Sequence, residues 1–374
     1  MHALLLASLP LLASGAATIA ADDARFVTPL GRTQPLPGGG LALSWLGGGL
    51  RVAHTGTVLR ATASSASAFG ATSNFKLALY EDEGQSVWQG ASWVPATGLN
   101  ESVVVGVGAT ATRVLLNDPA DYWCRGSSAA AAIVSLTTDG DFVPAAAAPA
   151  RVLHVLGDSI TAATNIHGGF KCADEGLFAD YSVSWAGILC NAFGASCSTV
   201  AVGGKGLVRN CCDSGTTVPQ FYTQARKNEA DNSFAFTDAR PDGVIVYLGT
   251  NDYSAGASPA LDAAFAGAFL DLMANVTTKY YGTPAAPANI TFFAVLGPMS
   301  PTKPANATLD AVARGTAAGY RVVLVNATEA CGANLTGCTD GCASHPGVAS
   351  HRNIARIVAP AVGAVLGWPL DDVL

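Results

Sequence analysis

Four short stretches of this 374-residue chain carry side chains that could do chemistry together. Gly157-Asp158-Ser159-Ile160-Thr161 offers a serine hydroxyl as nucleophile, although read alone it is equally a polar turn capping a helix. In Val202-Gly203-Gly204-Lys205-Gly206 the glycines let the backbone approach a reacting carbonyl and aim an N–H at it. Lacking Ser or Thr after Lys205, that stretch is not a phosphate-binding P-loop. Gly249-Thr250-Asn251-Asp252 adds a side-chain amide for the same developing negative charge. Ser344-His345-Pro346-Gly347 supplies an imidazole suited to general base catalysis, whereas His351 reads as a surface residue on a helix face. Each stretch is compatible with a simple turn or cap. Their conjunction, a nucleophile, two oxyanion donors and a base, is what acyl transfer through a tetrahedral intermediate needs.

These stretches need elements that bring them to one place. After the small-residue linker 145–150 the chain reads as strand, loop, helix, repeated. Strands are predicted at 152–156, 198–202, 243–248, 290–296 and 321–325, with helices near 184–193, 219–227, 259–279 and 348–366. Nearly continuous apolar strands alternating with helices predict a buried parallel sheet, so 151–374 is expected to be a three-layer α/β/α domain. Ligands in such sheets bind beyond the carboxyl ends of the strands, and each chemical stretch directly follows a strand or precedes the last helix. Upstream, short apolar runs at 41–46, 50–53, 58–61, 75–80, 103–107, 113–116 and 133–136 are separated by Gly, Ser, Asn and Asp. That spacing predicts an all-β sandwich over 22–145.

Half the residues are hydrophobic and 13% are charged, which excludes a disordered chain. Residues 1–21 carry no charged side chain and end in small residues, as a signal peptide over 1–20 would, with cleavage after Ala16 or Ala20. A buried N-terminal helix is the alternative. Six N-x-S/T sequons, at Asn100, Asn275, Asn289, Asn306, Asn326 and Asn334, agree with secretion. So do nine cysteines, of which Cys331, Cys338 and Cys342 are expected to close a small loop before His345. The odd count leaves at least one thiol unpaired. A net charge of −7 with no basic stretch argues against nucleic acid partners, and no further stretch is expected to span a membrane. A soluble, extracellular monomer is expected. Scattered histidines, no HExxH and no dinucleotide fingerprint imply neither metal nor cofactor.

The order Ser159, Gly204, Asn251, His345 resembles the blocks of the SGNH hydrolase superfamily, a flavodoxin-like α/β/α fold. That resemblance implies Ser159 as nucleophile, His345 as base, and the Ser159 and Gly204 N–H groups with the Asn251 amide as oxyanion donors. Asp158 would brace its loop. Gly31-Arg32, the run 43–56 with Trp45, GDSIT, GGKG followed by Arg209-Asn210, and GTND together are similar to carbohydrate esterase family 2. Members join a jelly-roll domain to an SGNH domain and remove acetyl groups from plant polysaccharides such as xylan, which implies an acetylated carbohydrate substrate.

One departure matters. SGNH enzymes place an Asp two or three residues before the histidine, but here those positions hold Ala343 and Cys342. The nearest acid is Asp340. An orienting carboxylate fixes the imidazole tautomer, so the expectation is a Ser159–His345 dyad served by another acceptor, with Asp340 as candidate third member. Two rivals remain open at this level: a GDSL-type lipase or thioesterase acting on longer acyl chains, and a carbohydrate-binding glycoprotein that keeps the scaffold without activity.

Overall fold

The computed structural model describes residues 15–65, 75–81, 88–94, 101–107, 111–118, 131–169, 179–227, 233–236, 239–285, 289–299, 303–331 and 338–370. Among the described residues the N-terminal half holds twelve strands: β1 (Ala17–Ala20), β2 (Val27–Leu30), β3 (Thr33–Pro35), β4 (Leu41–Leu43), β5 (Gly49–His54), β6 (Val58–Ser65), β7 (Phe75–Glu81), β8 (Trp88–Val94), β9 (Glu101–Val107), β10 (Ala111–Asp118), β11 (Ala131–Thr138) and β12 (Phe142–Val143). They form two antiparallel sheets. One runs β3-β4-β11-β6-β9 with β1 also on β11; the other runs β12-β5-β10-β7-β8 with β2 also on β5. Leu41, Leu43, Leu59, Ile133 and Leu136 from the first meet Val27, Leu50, Val52 and Val114 from the second in one buried cluster. All seven strands expected from the sequence are present. The five that escaped the pattern, β1, β2, β3, β8 and β12, are short or carry only weak alternation.

The C-terminal half is a five-stranded parallel sheet in the order β14-β13-β15-β16-β17. Its strands are β13 (Val152–Gly157), β14 (Ser196–Ala201), β15 (Gly243–Tyr247), β16 (Thr291–Leu296) and β17 (Arg321–Asn326). Helices are α1 (Trp185–Ala192), α2 (Val218–Phe221), α3 (Pro259–Tyr281), α4 (Ala305–Ala317) and α5 (Val348–Leu366). Alternate strand residues feed two cores, as burial on both faces requires. Leu153, Val155, Ile245 and Phe293 pack with Trp185 of α1 and Val358 of α5. Leu156, Val244, Val246 and Phe292 pack with Phe265, Phe269 and Met273 of α3. Helix ends follow local chemistry. The Ser184 hydroxyl accepts from Gly187 N at 2.9 Å to cap α1, and α3 runs from a Ser258 cap with Pro259 behind it to Gly282 at φ 71°. By length and composition α3 is apolar enough to cross a membrane, but its aromatic face lies in the core.

Two helices depart from expectation. α4 is absent from the expected helices because its buried stripe, Ala307, Thr308, Ala311 and Gly315, is too small to give an apolar period. A Cβ on Gly315 would stand 2.7 Å from Met273 Cε, so that smallness lets α4 lie against α3. The helix expected at 219–227 is a single turn, α2. The Arg32 guanidinium takes the Tyr222 carbonyl at 2.6 Å and the Gln224 carbonyl at 3.0 Å, holding the chain out of further helix.

Arg32 also joins the two halves. Fully buried, it donates Nε to Ser198 Oγ at 3.1 Å and lies 4.0 Å from the Phe234 ring centroid. Trp45, equally buried, donates Nε1 to the Gln224 carbonyl at 3.1 Å and meets Phe221 edge-on. Leu46 bridges to Thr199 on β14, and Gly31, at φ 58°, sits where a Cβ would stand 2.2 Å from the Cys197 carbonyl. These residues of the N-terminal half therefore pack against the edge strand β14 and the segment after α2.

Candidate active site

The Ser159 turn leaves β13 under tight local control. Gly157 admits Thr161 against the strand end, since a Cβ there would stand 1.9 Å from Thr161 Oγ1. Asp158 closes the turn on itself, its Oδ1 accepting from Ile160 N at 2.9 Å. Ala162 N then donates to Asp158 O and Thr164 N to Ser159 O, both at 2.9 Å. Ala163 and Asn165 adopt positive φ, which ends the turn. Asp158 is wholly buried, and loss of hydration pushes its carboxyl up to about 7, with the charge of Asp252 acting in the same direction.

The glycine loop begins after β14. Val202 N reaches Gly157 O at 3.3 Å, and Gly204 stands at φ 75°, a conformation that favours glycine. Asn251 follows β15, donating Nδ2 to the Lys205 carbonyl at 2.8 Å and, at a longer 3.3 Å, to Asp158 Oδ2. The second contact is long enough to be exchanged for a better acceptor. Among the described residues, the backbone N–H groups of Ser159 and Gly204 donate to no protein acceptor, and the Ser159 hydroxyl has no hydrogen bond. Ser159 is 6% exposed and Asn251 7%. A buried N–H without a protein partner suits a ligand oxygen.

His345 arrives on a loop built for it. Cys342 N donates to the Asn165 carbonyl at 2.9 Å, which fastens this loop to the end of the Ser159 turn. Gly341 N donates to His345 O at 2.8 Å, and His345 N to Cys342 O at 3.1 Å. Cys331 is bonded to Cys338, and Cys342 is also in a disulfide. Ala343 and Ser344 both stand at positive φ, 50° and 64°, uncommon for residues other than glycine. That twist turns the Ala343 carbonyl back towards the imidazole, whose Nδ1 lies 3.3 Å from it. An N–H on Nδ1 donating to this oxygen leaves Nε2 as the basic nitrogen.

Asp340 is engaged elsewhere. Its Oδ1 accepts from Gly347 N at 2.8 Å and from the Ser350 hydroxyl, so it secures the start of α5. His351, expected on the surface, is fully buried. Its Nδ1 accepts from Trp185 N at 3.1 Å, tying α5 to the start of α1, and burial lowers its pKa to about 3. The apolar face of α5 passes through that position, a contact that periodicity alone did not reveal. The reactive residue types thus gather at the carboxyl ends of β13, β14 and β15 and on the loop before α5. Among the described residues no cluster of His, Cys, Asp or Glu is arranged to hold a metal ion.

The sequence matches the model of the GDSL-like lipase/acylhydrolase family over residues 155–352, more than half of the chain. No curated protein matches it. Among solved structures, a family two carbohydrate esterase from Cellvibrio japonicus superposes with a TM-score of 0.76 at 20% identity, covering 94% of this chain and 98% of that one. A carbohydrate esterase family 2 enzyme with a carbohydrate-binding domain from Corynascus (Myceliophthora fergusii) gives 0.70 at 28% identity, covering 91% and 100%. The acetyl xylan esterase Est2A of Butyrivibrio proteoclasticus gives 0.76 at 20%, covering 95% and 100%. The chain belongs to the GDSL-like lipase/acylhydrolase family, with the SGNH fold, and is a carboxylic ester hydrolase.

Proposed function

We propose that this protein is a secreted serine esterase that removes acetyl groups from carbohydrate esters, acetylated xylan or a similar polysaccharide. Ser159 attacks the ester carbonyl while His345 Nε2 takes its proton, and the oxyanion is received by the Ser159 and Gly204 N–H groups and the Asn251 amide. Collapse of the tetrahedral adduct expels the sugar hydroxyl, protonated by His345. Water activated by the same imidazole then releases acetate. The observation that carries this reading is the backbone contact from Cys342 N to Asn165 O, which fastens the His345 loop to the end of the Ser159 turn; in this reading Ala343 O takes the orienting role of the missing acid. Closure of the Ser159 hydroxyl onto His345 belongs to the substrate complex, since catalytic hydrogen bonds often tighten only there.

Residues 22–145 and 151–374 are read as two domains, the first a jelly roll. Supporting this, β4, β5, β6 and β7 alternate between the two antiparallel sheets, as do β8, β9, β10 and β11. Secretion is supported by the Cys190–Cys197 and Cys331–Cys338 disulfides and by exposed sequons at Asn289, Asn306 and Asn326. Leader cleavage after Ala16 would preserve β1, which begins at Ala17, whereas cleavage after Ala20 would remove it.

Acetate release from acetylated xylan, compared with hydrolysis of p-nitrophenyl acetate and octanoate, tests the substrate class. Acetyl preference with polysaccharide turnover is expected; octanoate preference would make the protein a lipase instead.

A further inference from the structure

We propose that Asp252 is the positioning residue that builds the oxyanion loop, an inference resting on the reading of Gly204 and Asn251 as oxyanion donors. Three successive backbone N–H groups of that loop converge on its carboxylate. Oδ2 accepts from Leu207 N at 3.0 Å, and Oδ1 from Val208 N at 2.7 Å and Arg209 N at 3.0 Å. Successive N–H groups form a concavity for an anion, and here the chain supplies the anion itself. The arrangement is reciprocal, because the Arg209 guanidinium returns to the Asp252 carbonyl. Gly206 completes it: a Cβ there would stand 2.5 Å from Asp252 Oδ2 and 2.2 Å from the Arg209 carbonyl.

Asn251, the preceding residue, holds Lys205 O through Nδ2. Two consecutive residues after β15 thus grip the loop on both sides of Gly206, so one dipeptide carries the Asn251 amide and holds the loop that bears the Gly204 N–H. The Asp252 carboxylate bonds to the loop and not to Ser159 or His345, so it acts through the loop. It is fully buried, and an acceptor-only group is needed to take three donors on two oxygens. An asparagine would turn an N–H₂ towards at least one of those N–H groups.

The test is Asp252→Asn and Asp252→Ala, with active sites counted by fluorophosphonate labelling of Ser159. Turnover of p-nitrophenyl acetate per labelled site, KM, melting temperature and the Ki of a trifluoromethyl ketone, which forms a tetrahedral adduct, are then measured. Because turnover is normalised to labelled sites, partial unfolding does not mimic the effect. We expect kcat per site to fall about 10-fold in Asp252→Asn and about 100-fold in Asp252→Ala, with KM within about threefold and Ki weakened in parallel with kcat. Unchanged kcat per site and Ki, with only melting temperature or the labelled fraction lowered, would overturn the inference and leave a merely structural carboxylate. A parent enzyme that takes no label at Ser159 would instead overturn the reading of the site, and this inference with it.

Discussion

At the scale of single residues, no acid stands two or three positions before His345, and the proposed substitute is a backbone carbonyl. The Ala343 carbonyl stands at Nδ1 while Asp340 is bonded to Gly347 N and Ser350. Asp340→Ala is therefore expected to keep near-normal kcat and to lose about 1 kcal/mol of stability, the usual worth of a helix-start hydrogen bond, as read by turnover and urea melts. A collapse of kcat would reinstate Asp340 as third catalytic member. Asp158 makes a second prediction. Its carboxyl, raised to about 7 by burial, is harder to ionise folded than unfolded. Its favourable contribution is therefore complete below its ordinary pKa of 3.8 and is lost as pH rises towards about 7. Asp158→Asn cannot ionise, so its stability relative to the parent should rise between about pH 4 and 7 and then level off. A pH-independent difference would show that Asp158 ionises normally. The places of Ser159, Gly204 and Asn251 after strand ends and of His345 before α5 were legible because the apolar strands and the last helix are plain in the sequence. Ala343 was not, since a carbonyl acceptor carries no side-chain signature, and burial of His351 depends on a neighbour, Trp185, 166 positions away.

At the scale of elements, legibility followed side-chain size. The five strands of the parallel sheet and helices α1, α3 and α5 announced themselves through large apolar residues, whereas α4 hid behind Ala and Gly. Propensity was overruled at 219–227, where Arg32 from the other half claims the carbonyls that a longer helix would use. The loops between elements carry the candidate site, and Gly204 there is positional. Gly204→Ala places a Cβ at φ 75°, costing about 1 kcal/mol or more and tilting the N–H of the hole. The expected result is a loss of about 10- to 100-fold in kcat with little change in KM. Undiminished kcat would remove Gly204 from the set of oxyanion donors.

At the scale of the whole molecule, Gly31, Arg32 and Trp45 belong to the seam between the N-terminal half and β14 with the segment after α2. Arg32→Met removes one donor from each of the Tyr222 and Gln224 carbonyls, the latter keeping Trp45 Nε1, and should lower stability by about 2–4 kcal/mol while leaving kcat per labelled site unchanged. A loss of kcat per site without loss of stability would mean that the N-terminal half shapes the site directly. Everything proposed for the site turns on Ser159 forming the covalent intermediate with help from His345. Peptide mass mapping after fluorophosphonate treatment of the parent and of His345→Ala tests this directly. The label should sit on Ser159 in the parent and accumulate at least about 100-fold more slowly in the variant. Label on another residue, or undiminished labelling without the imidazole, would contradict it.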